Sequence, residues 1–354
     1  MLTNLEETIV KKRSVGLAFV LLLAATTAGR ALDTVKTTKG AQGGRVVGMS
    51  PLKVDLEQGA GGDVAKEIPV NQVVTILFED DPSELKTAKT HIVAGRFAEA
   101  QQALERIKDD VNRPEIQQDI EFYKALCAAR LALGGSGKIA DAGRLMKAFA
   151  DAHKGSYHYF EAAETAGDLL VAVRQYGLAA EYYARLEKAP WTDYKMRAGV
   201  AAGRAFLAQG KTDEALKSFD KVLATAADGE LADAQRAMAN LGKAGVLAAA
   251  KKPDEAIKLV EAILQKADPE DVQLMARAYN VLGTAQRQAG RTKEALLAFL
   301  HVDVLYSGVP EAHAEALANL ADLWKEVHKT ERAQRAQKTL EEQYPDSPWV
   351  KKGG

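Results

Sequence analysis

Six histidines, one cysteine and a few clustered acids are the residues of this 354-residue chain with the type to do chemistry, and their spacing decides whether they could. His91, His153, His158, His301, His313 and His328 are scattered. No H-E-x-x-H or comparable spacing puts two imidazoles on one helix face, so no metal-ligand pattern forms. His153 and His158 come nearest, and Lys154-Gly155-Ser156 between them reads as an inter-helix loop. Cys127 lies in an alanine-rich helical stretch, where a buried, inert thiol is expected. A single cysteine excludes a disulfide framework, a cysteine-ligated zinc site and an iron–sulfur cluster. Gly134-Gly135-Ser136-Gly137-Lys138 has the residues of a phosphate loop but the wrong spacing and no preceding strand, so it reads as a loop insertion. No G-x-S-x-G or dinucleotide fingerprint occurs, and no cofactor is expected. Glu79-Asp80-Asp81 is explained by helix capping and a solvated turn. An aromatic cluster remains: Tyr157, Tyr159, Phe160, Tyr176, Tyr182, Tyr183, Trp191 and Tyr194 fall within 38 residues. By pattern Tyr176 and Tyr183 fill a core, whereas Tyr159, Trp191 and Tyr194 could line an edge that contacts peptide or glycan.

The elements that must position such residues follow from composition. Apolar residues make up 47% and charged residues 27%, the balance of a soluble globular protein. A net charge of -1 and a pI near 6.6 remove the electrostatic basis for nucleic-acid binding. Lys11, Lys12 and Arg13 precede an apolar run from Val15 to Ala25 that is too short to span a bilayer. With the small residues that follow, residues 1–31 read as a secretory signal cut after Ala28 or Ala31. The mature chain is therefore expected to be soluble, without membrane insertion, in the periplasm or outside the cell.

Alanine then divides the chain. Residues 32–80 hold 3 of its 63 alanines but 8 valines and 7 glycines. Leu52, Val54 and Leu56 alternate with charged residues, as do Val74, Ile76 and Phe78 with their neighbours, the period of a half-buried strand. Turns are expected at Gly43-Gly44 and at Gly59 to Gly62, and a further strand beginning at Ile68 to Val70. This rhythm is similar to that of the small Sm-like β-barrel modules that precede helical repeats in some bacterial envelope proteins. So few residues bury little core, so the module is expected to lean on the first helices that follow.

From residue 81 the alanines become periodic. Gly95 to Ala100, Gly210 to Ala215 and Gly290 to Ala295 each set a glycine at a helix–helix turn and an alanine five residues on. Variants extend the series, so that Ala100, Ala142, Ala179, Ala215, Ala256, Ala295 and Ala333 recur every 36 to 42 residues. Gly167, Gly203 and Gly283 stand twelve residues before three of them, and Leu104, Met146, Tyr183, Phe219, Val260 and Phe299 stand four residues after six of them. Where two helices cross closely only Gly or Ala fits, and one bulky neighbour fills the adjoining groove. Gln337 takes that place in the last repeat, as in a capping unit with a wetter face. The fifth repeat offers Leu241-Gly242 for the small residue only after a two-residue shift.

Residues 81–349 thus resemble the tetratricopeptide repeat family. The resemblance implies a mainly α fold, an α-solenoid of about seven helix hairpins in a right-handed superhelix; Tyr344-Pro345-Asp346-Ser347-Pro348 stops the last helix, and a loose tail is expected at 350–354. In the family, ligands lie in the concave groove lined by first helices. Carried onto this sequence, that geometry turns Arg204, Leu207, Asn280, Thr284, Arg287, Asp322 and Lys325 inward. The Lys/Asn constellation of chaperone-tail clamps is absent. The expectation is an exported, non-enzymatic scaffold holding an extended segment of another envelope or exported protein. A carbohydrate-binding protein using the Tyr-rich third repeat is the alternative, and an enzyme with an unfamiliar site the remaining one.

Overall fold

The computed structural model describes residues 32–58, 66–108 and 111–350. The expected signal with its cleavage sites, the Gly59 to Gly62 turn and the end of the tail lie outside the described residues.

Five strands form one antiparallel sheet: β1 Asp33–Thr37, β2 Gly40–Met49, β3 Lys53–Glu57, β4 Lys66–Pro69 and β5 Val73–Leu77, in the order β4-β3-β2-β1-β5. A single 3₁₀ turn, Val70–Gln72, links β4 to β5, so Ile68 and Val70 end a strand instead of beginning one. Gly43 and Gly44 lie within β2 and not in a turn. The reversal is at Thr38-Lys39, and Gly44 is small because β3 presses on it: a Cβ there would meet the Glu57 carbonyl at 2.5 Å. Val54, Leu56, Ile76 and Phe78 are buried as their alternation requires. Val74 is not, because the β1–β5 register passes from Thr37↔Val73 to Lys36↔Thr75 and leaves it as a bulge. Val47 is skipped in the same way between β2 and β3, and both valines are 48% exposed.

Fourteen helices follow among the described residues, paired as seven hairpins: α1 Ser83–Val93 with α2 Phe97–Glu105, α3 Pro114–Leu133 with α4 Ile139–Ala152, and α5 Tyr159–Ala172 with α6 Tyr176–Leu186. Next come α7 Thr192–Ala208 with α8 Thr212–Leu223 and α9 Glu230–Ala249 with α10 Pro253–Leu264. The last two are α11 Val272–Gln288 with α12 Thr292–Leu305 and α13 Pro310–Glu326 with α14 Thr330–Gln343. All seven anchoring alanines are buried to 2% or less. A Cβ on Gly167, Gly203 or Gly283 would strike the ring of Tyr183, Phe219 or Phe299 within 2.7 Å, which is why those places are empty. In the fifth hairpin the residue twelve before Ala256 is Ala244, fully buried with Val260. Gly242 has a different task, receiving Phe219 of the preceding hairpin at 2.3 Å from its would-be Cβ.

Each hairpin turns through the same device. The amide three residues past the helix end donates back to a carbonyl five residues earlier, as in Arg96 to His91, Lys211 to Phe206 and Arg291 to Gln286, at 2.8 to 2.9 Å. The residue between must adopt positive φ. Glycine supplies it at Gly95, Gly135, Gly210 and Gly290, while Arg174, Lys251 and His328 are forced into it at φ 57° to 61°.

The sheet is fastened to the helices by charge. Asp33 accepts from the amides of Val46 and Glu79, both at 2.9 Å, and from both terminal nitrogens of Arg113 at 3.1 Å. Lys89 of α1 is fully buried, donating to Asp81 (2.8 Å) and the Ile76 carbonyl (2.7 Å) and pairing with Asp119 of α3 (2.7 Å). Asp81 is therefore not a helix cap, nor part of a solvated turn, because its carboxylate turns inward to the amide of Phe78 and to Lys89. In the segment before α11 the capping acid is Asp271, which accepts from Leu274 at 3.0 Å.

Two outcomes follow. Replacing Lys251 or His328 by glycine relieves the strained turn and is expected to stabilise the fold by about 1 kcal/mol, whereas Gly210→Ala or Gly290→Ala should cost about as much, read from denaturant melts. Burial opposes ionisation of Asp33, but Arg113 and the two amides outweigh it and hold the carboxyl below its ordinary value of 3.8. Its stabilisation is thus present above that value and lost as pH falls through the depressed one. Asp33→Asn is expected to cost about 1.5–3 kcal/mol at neutral pH, with the gap to the parent closing only as melts are taken into acid below that ordinary value.

Candidate functional site

The seven hairpins do not end in an open groove. The Gly-Gly-Ser-Gly insertion, which lengthens the second hairpin's turn, receives the far end of the chain. Gly134 lies against Pro310 at the start of α13, where a Cβ would come within 2.3 Å, and Gly135 lies as closely on Ser347. The amide of Asp346 donates to the Gly135 carbonyl (2.8 Å), and the Ser136 hydroxyl donates to that of Gln343 (2.6 Å). Ser347 is completely buried, so the Tyr344–Val350 segment after the last helix is packed in place. At the first hairpin, a Cβ on Gly95 would sit 3.7 Å from the Gly308 carbonyl and 4.0 Å from Val272. Hairpins 1 and 2 meet hairpins 6 and 7, and the solenoid closes on itself.

The first helices line the inner face of this ring, where a cavity of about 320 Å³ opens. Its walls are Leu126 and Arg130 of α3, then Glu161, Glu164 and Asp168 of α5, then Arg197, Val200 and Arg204 of α7. Gln235 and Met238 of α9, Val272, Gln273 and Arg277 of α11, and the α1–α2 turn complete it. On α3, α5, α7 and α9 these positions recur at i, i+3, i+4 or i+7, one face of an α-helix, and on α11 Gln273 and Arg277 are four apart. Arg197 pairs with Glu164, and Arg204 with Asp168 at 3.1 Å, where the Tyr183 hydroxyl also donates at 2.8 Å. Burial works against both arginines, but Glu164 and Asp168 override it and hold each guanidinium charged. Arg277 differs: burial, and after it the charge of Arg204, press its pKa down, with Glu311 at 3.6 Å opposing.

Of the seven expected groove residues, Arg204 lines the cavity and the others lie elsewhere. Leu207 is half-buried against the Phe219 cluster, and Thr284 is half-buried. Asn280 is 2% exposed and ties α11 to α13 through the Ala312 carbonyl (2.8 Å) and Glu315 (3.1 Å). Arg287 makes the same tie with Asn319, Glu326 and Asp322, the last at 3.7 Å. Lys325 is exposed on α13. Sequence reading missed Arg130, Glu161, Glu164, Asp168, Arg197 and Arg277: neighbouring hairpins bring Glu164 to Arg197, whereas only ring closure brings Arg130 and Arg277 to one cavity.

The aromatic residues pack on one another. Tyr194 is 6% exposed and lies 5.3 Å from Phe160 and 5.2 Å from Trp191, and Tyr159 meets Phe160 at 5.2 Å. Trp191 and Tyr159 are half-buried. Burial lifts the Tyr194 hydroxyl to about 12, and the ring backs Arg197 at 4.9 Å, which braces one wall of the cavity.

Every histidine stays apart from the others. His158 meets Asp119 (3.0 Å) and stacks on Phe122, while His313 is held between Tyr344 (2.7 Å) and Asp303 (2.9 Å). Among the described residues no three His, Cys, Asp or Glu side chains gather where a metal ion could be held. Cys127 is fully buried and its thiol is pushed up to about 12. No described helix is long and apolar enough to cross a membrane.

Residues 200–272, from mid-α7 to the start of α11, match the tetratricopeptide repeat family. No curated protein matches the sequence. Among solved structures, a tetratricopeptide repeat protein from Parabacteroides merdae is 15% identical, covering 76% of this chain and 95% of its own, with a TM-score of 0.46. A Rap protein complexed with competence and sporulation factor is 15% identical, with 76% and 78% covered and a TM-score of 0.47. NprR in complex with its cognate peptide NprX is 14% identical, with 78% and 81% covered and a TM-score of 0.44.

Closure can be tested at one atom. Gly134 has helix-compatible φ, so Gly134→Ala adds no backbone strain and acts on Pro310 and the Glu311 amide that follows it. The variant is expected to speed amide exchange across residues 310–350 and to leave the α7–α10 hairpins unchanged. Equal protection of 310–350 in both proteins would show that the ring does not depend on this approach.

Proposed function

We propose that this chain is an exported, non-enzymatic scaffold that holds a segment of another envelope or exported protein on the inner face of its ring. The cavity carries the reading. First helices of five successive hairpins build it, it alternates arginine with carboxylate, and it is edged by Leu126, Val200 and Met238. Such a wall suits peptide, whose backbone and charged side chains need directed hydrogen bonds and whose apolar side chains need cover. Export is supported by the basic cluster Lys11 to Arg13 ahead of the apolar run Val15 to Ala25.

Expressed from its own start, the chain is expected outside the cytoplasm with its amino terminus trimmed to Gly29 or Leu32. That mature form, used as bait in the envelope fraction of its native cell, should recover a defined protein partner. Arg197→Glu with Arg204→Glu sets two acids against Glu164 and Asp168 and should cut recovery about tenfold or more, a loss of about 1.4 kcal/mol. A partner retained in full by a folded double variant, or none above background, overturns the scaffold reading.

A further inference from the structure

Two guanidinium groups of the cavity lie on either side of the ring's seam. Arg197 and Arg204 are engaged by Glu164 and Asp168. Among the described residues Arg130 makes no ion pair, and the pair of Arg277 is with Glu311 at 3.6 Å, an acid whose side chain is 57% exposed. These two arginines stand 147 positions apart in sequence, on α3 and α11, yet line one cavity. The seam joins them: Arg130 is one helical turn before Gly134, Gly134 abuts Pro310, and Pro310 is followed by the Glu311 that faces Arg277. Positive charge thus collects where the two ends of the solenoid meet. Arg277 feels Arg204 and Arg130 as like charges, and its fork, held only by the long contact to Glu311, can close with that of Arg130 on a shared acceptor.

We propose that the cavity is a receptor for an oxyanion, a carboxylate or phosphate group, held between Arg130 and Arg277 across the seam, and that its binding tightens the closure of the ring. This deepens the scaffold reading, on which it rests for treating the cavity as a ligand site. An oxyanion there would relieve repulsion between guanidiniums and take several charge-assisted hydrogen bonds in a partly desolvated space. It could be a free small acid or a carboxylate carried by the bound protein.

The mature chain is titrated at low salt, by calorimetry and by melting, with inorganic phosphate, with succinate, and with uncharged succinamide. Further arms use one short peptide with a free carboxy terminus and its amidated twin. Phosphate or succinate is expected to bind saturably and raise the melting temperature, whereas succinamide does neither. Arg130→Gln and Arg277→Gln should each weaken binding about tenfold, while Lys325→Gln, outside the cavity, leaves it unchanged. Peptide binding that needs the free terminus, with neither small acid bound, supports an oxyanion carried by the partner protein. Absence of saturable binding by phosphate, succinate and the free-terminus peptide overturns the inference, as does equal binding by the Arg277→Gln and Lys325→Gln variants. If a partner is nonetheless captured, the scaffold stands and the oxyanion site falls. If an oxyanion binds through the two arginines and no partner is captured, the reverse holds.

Discussion

Helices in this chain pack at a separation that admits nothing larger than a methyl group, and the rest of the structure depends on it. The crossing points are Ala100, Ala142, Ala179, Ala215, Ala256, Ala295 and Ala333, all buried. Because the backbones come so near, one bulky apolar side chain fills the groove beside each of the first six crossings, from Leu104 to Phe299. Phe219 does so twice, fitting between Gly203 of its own hairpin and Gly242 of the next. Such contacts fix how far each hairpin rotates on its neighbour, and those rotations add up to the curvature of the array. Five of them, from the second hairpin to the seventh, bring α13 back to α3. The same constraint then acts at the seam, where Gly134 and Gly135 again stand where a side chain would obstruct.

The sheet depends on a different interaction. Lys89 carries an ammonium group into a space with no exposed surface, which is tolerated because Asp81, Asp119 and the Ile76 carbonyl surround it and the rings of Phe78 and Tyr123 lie at 5.1 and 5.9 Å. Burial raises Asp81 above its ordinary pKa. Burial presses Asp119 the same way, but Lys89 and His158 overcome it and hold that acid below. One cation therefore joins three elements, the β5 strand, α1 and α3. A five-stranded sheet too small for a core of its own acquires one by sharing that of the first hairpins, with Phe78, Leu85, Phe122 and Tyr123 in a single cluster.

Local physics made most of the fold legible in the sequence. A crossing alanine, a turn glycine and a bulky neighbour are determined within one hairpin, so their period located all seven pairs. The errors arose where a distant residue intervened. Val47 and Val74 are in strands of the right period, but bulges set by the pairing partner turn them to solvent. Asp81 has the sequence context of a cap and is captured by a lysine eight residues on. Asn280 and Arg287 carry groove chemistry and use it on α13, because first helices of adjacent hairpins face each other before they face a ligand. The cavity itself was not legible, since Arg130 and Arg277 become neighbours only after every intervening rotation has been made. The Gly-Gly-Ser-Gly stretch read as a plain insertion for the same reason: what it accommodates lies two hundred residues away.

An open solenoid behaves as a coil spring, soft along its axis because a small change in each rotation lengthens the whole. Joining its first and last turns removes that freedom. Pulled from its ends, this chain would give almost nothing until the contacts of Gly134 with Pro310 and Gly135 with Ser347 parted, and would then extend easily. The Gly-Gly-Ser-Gly insertion in the second turn thus turns a compliant element into a stiff one whose first place to open is the seam.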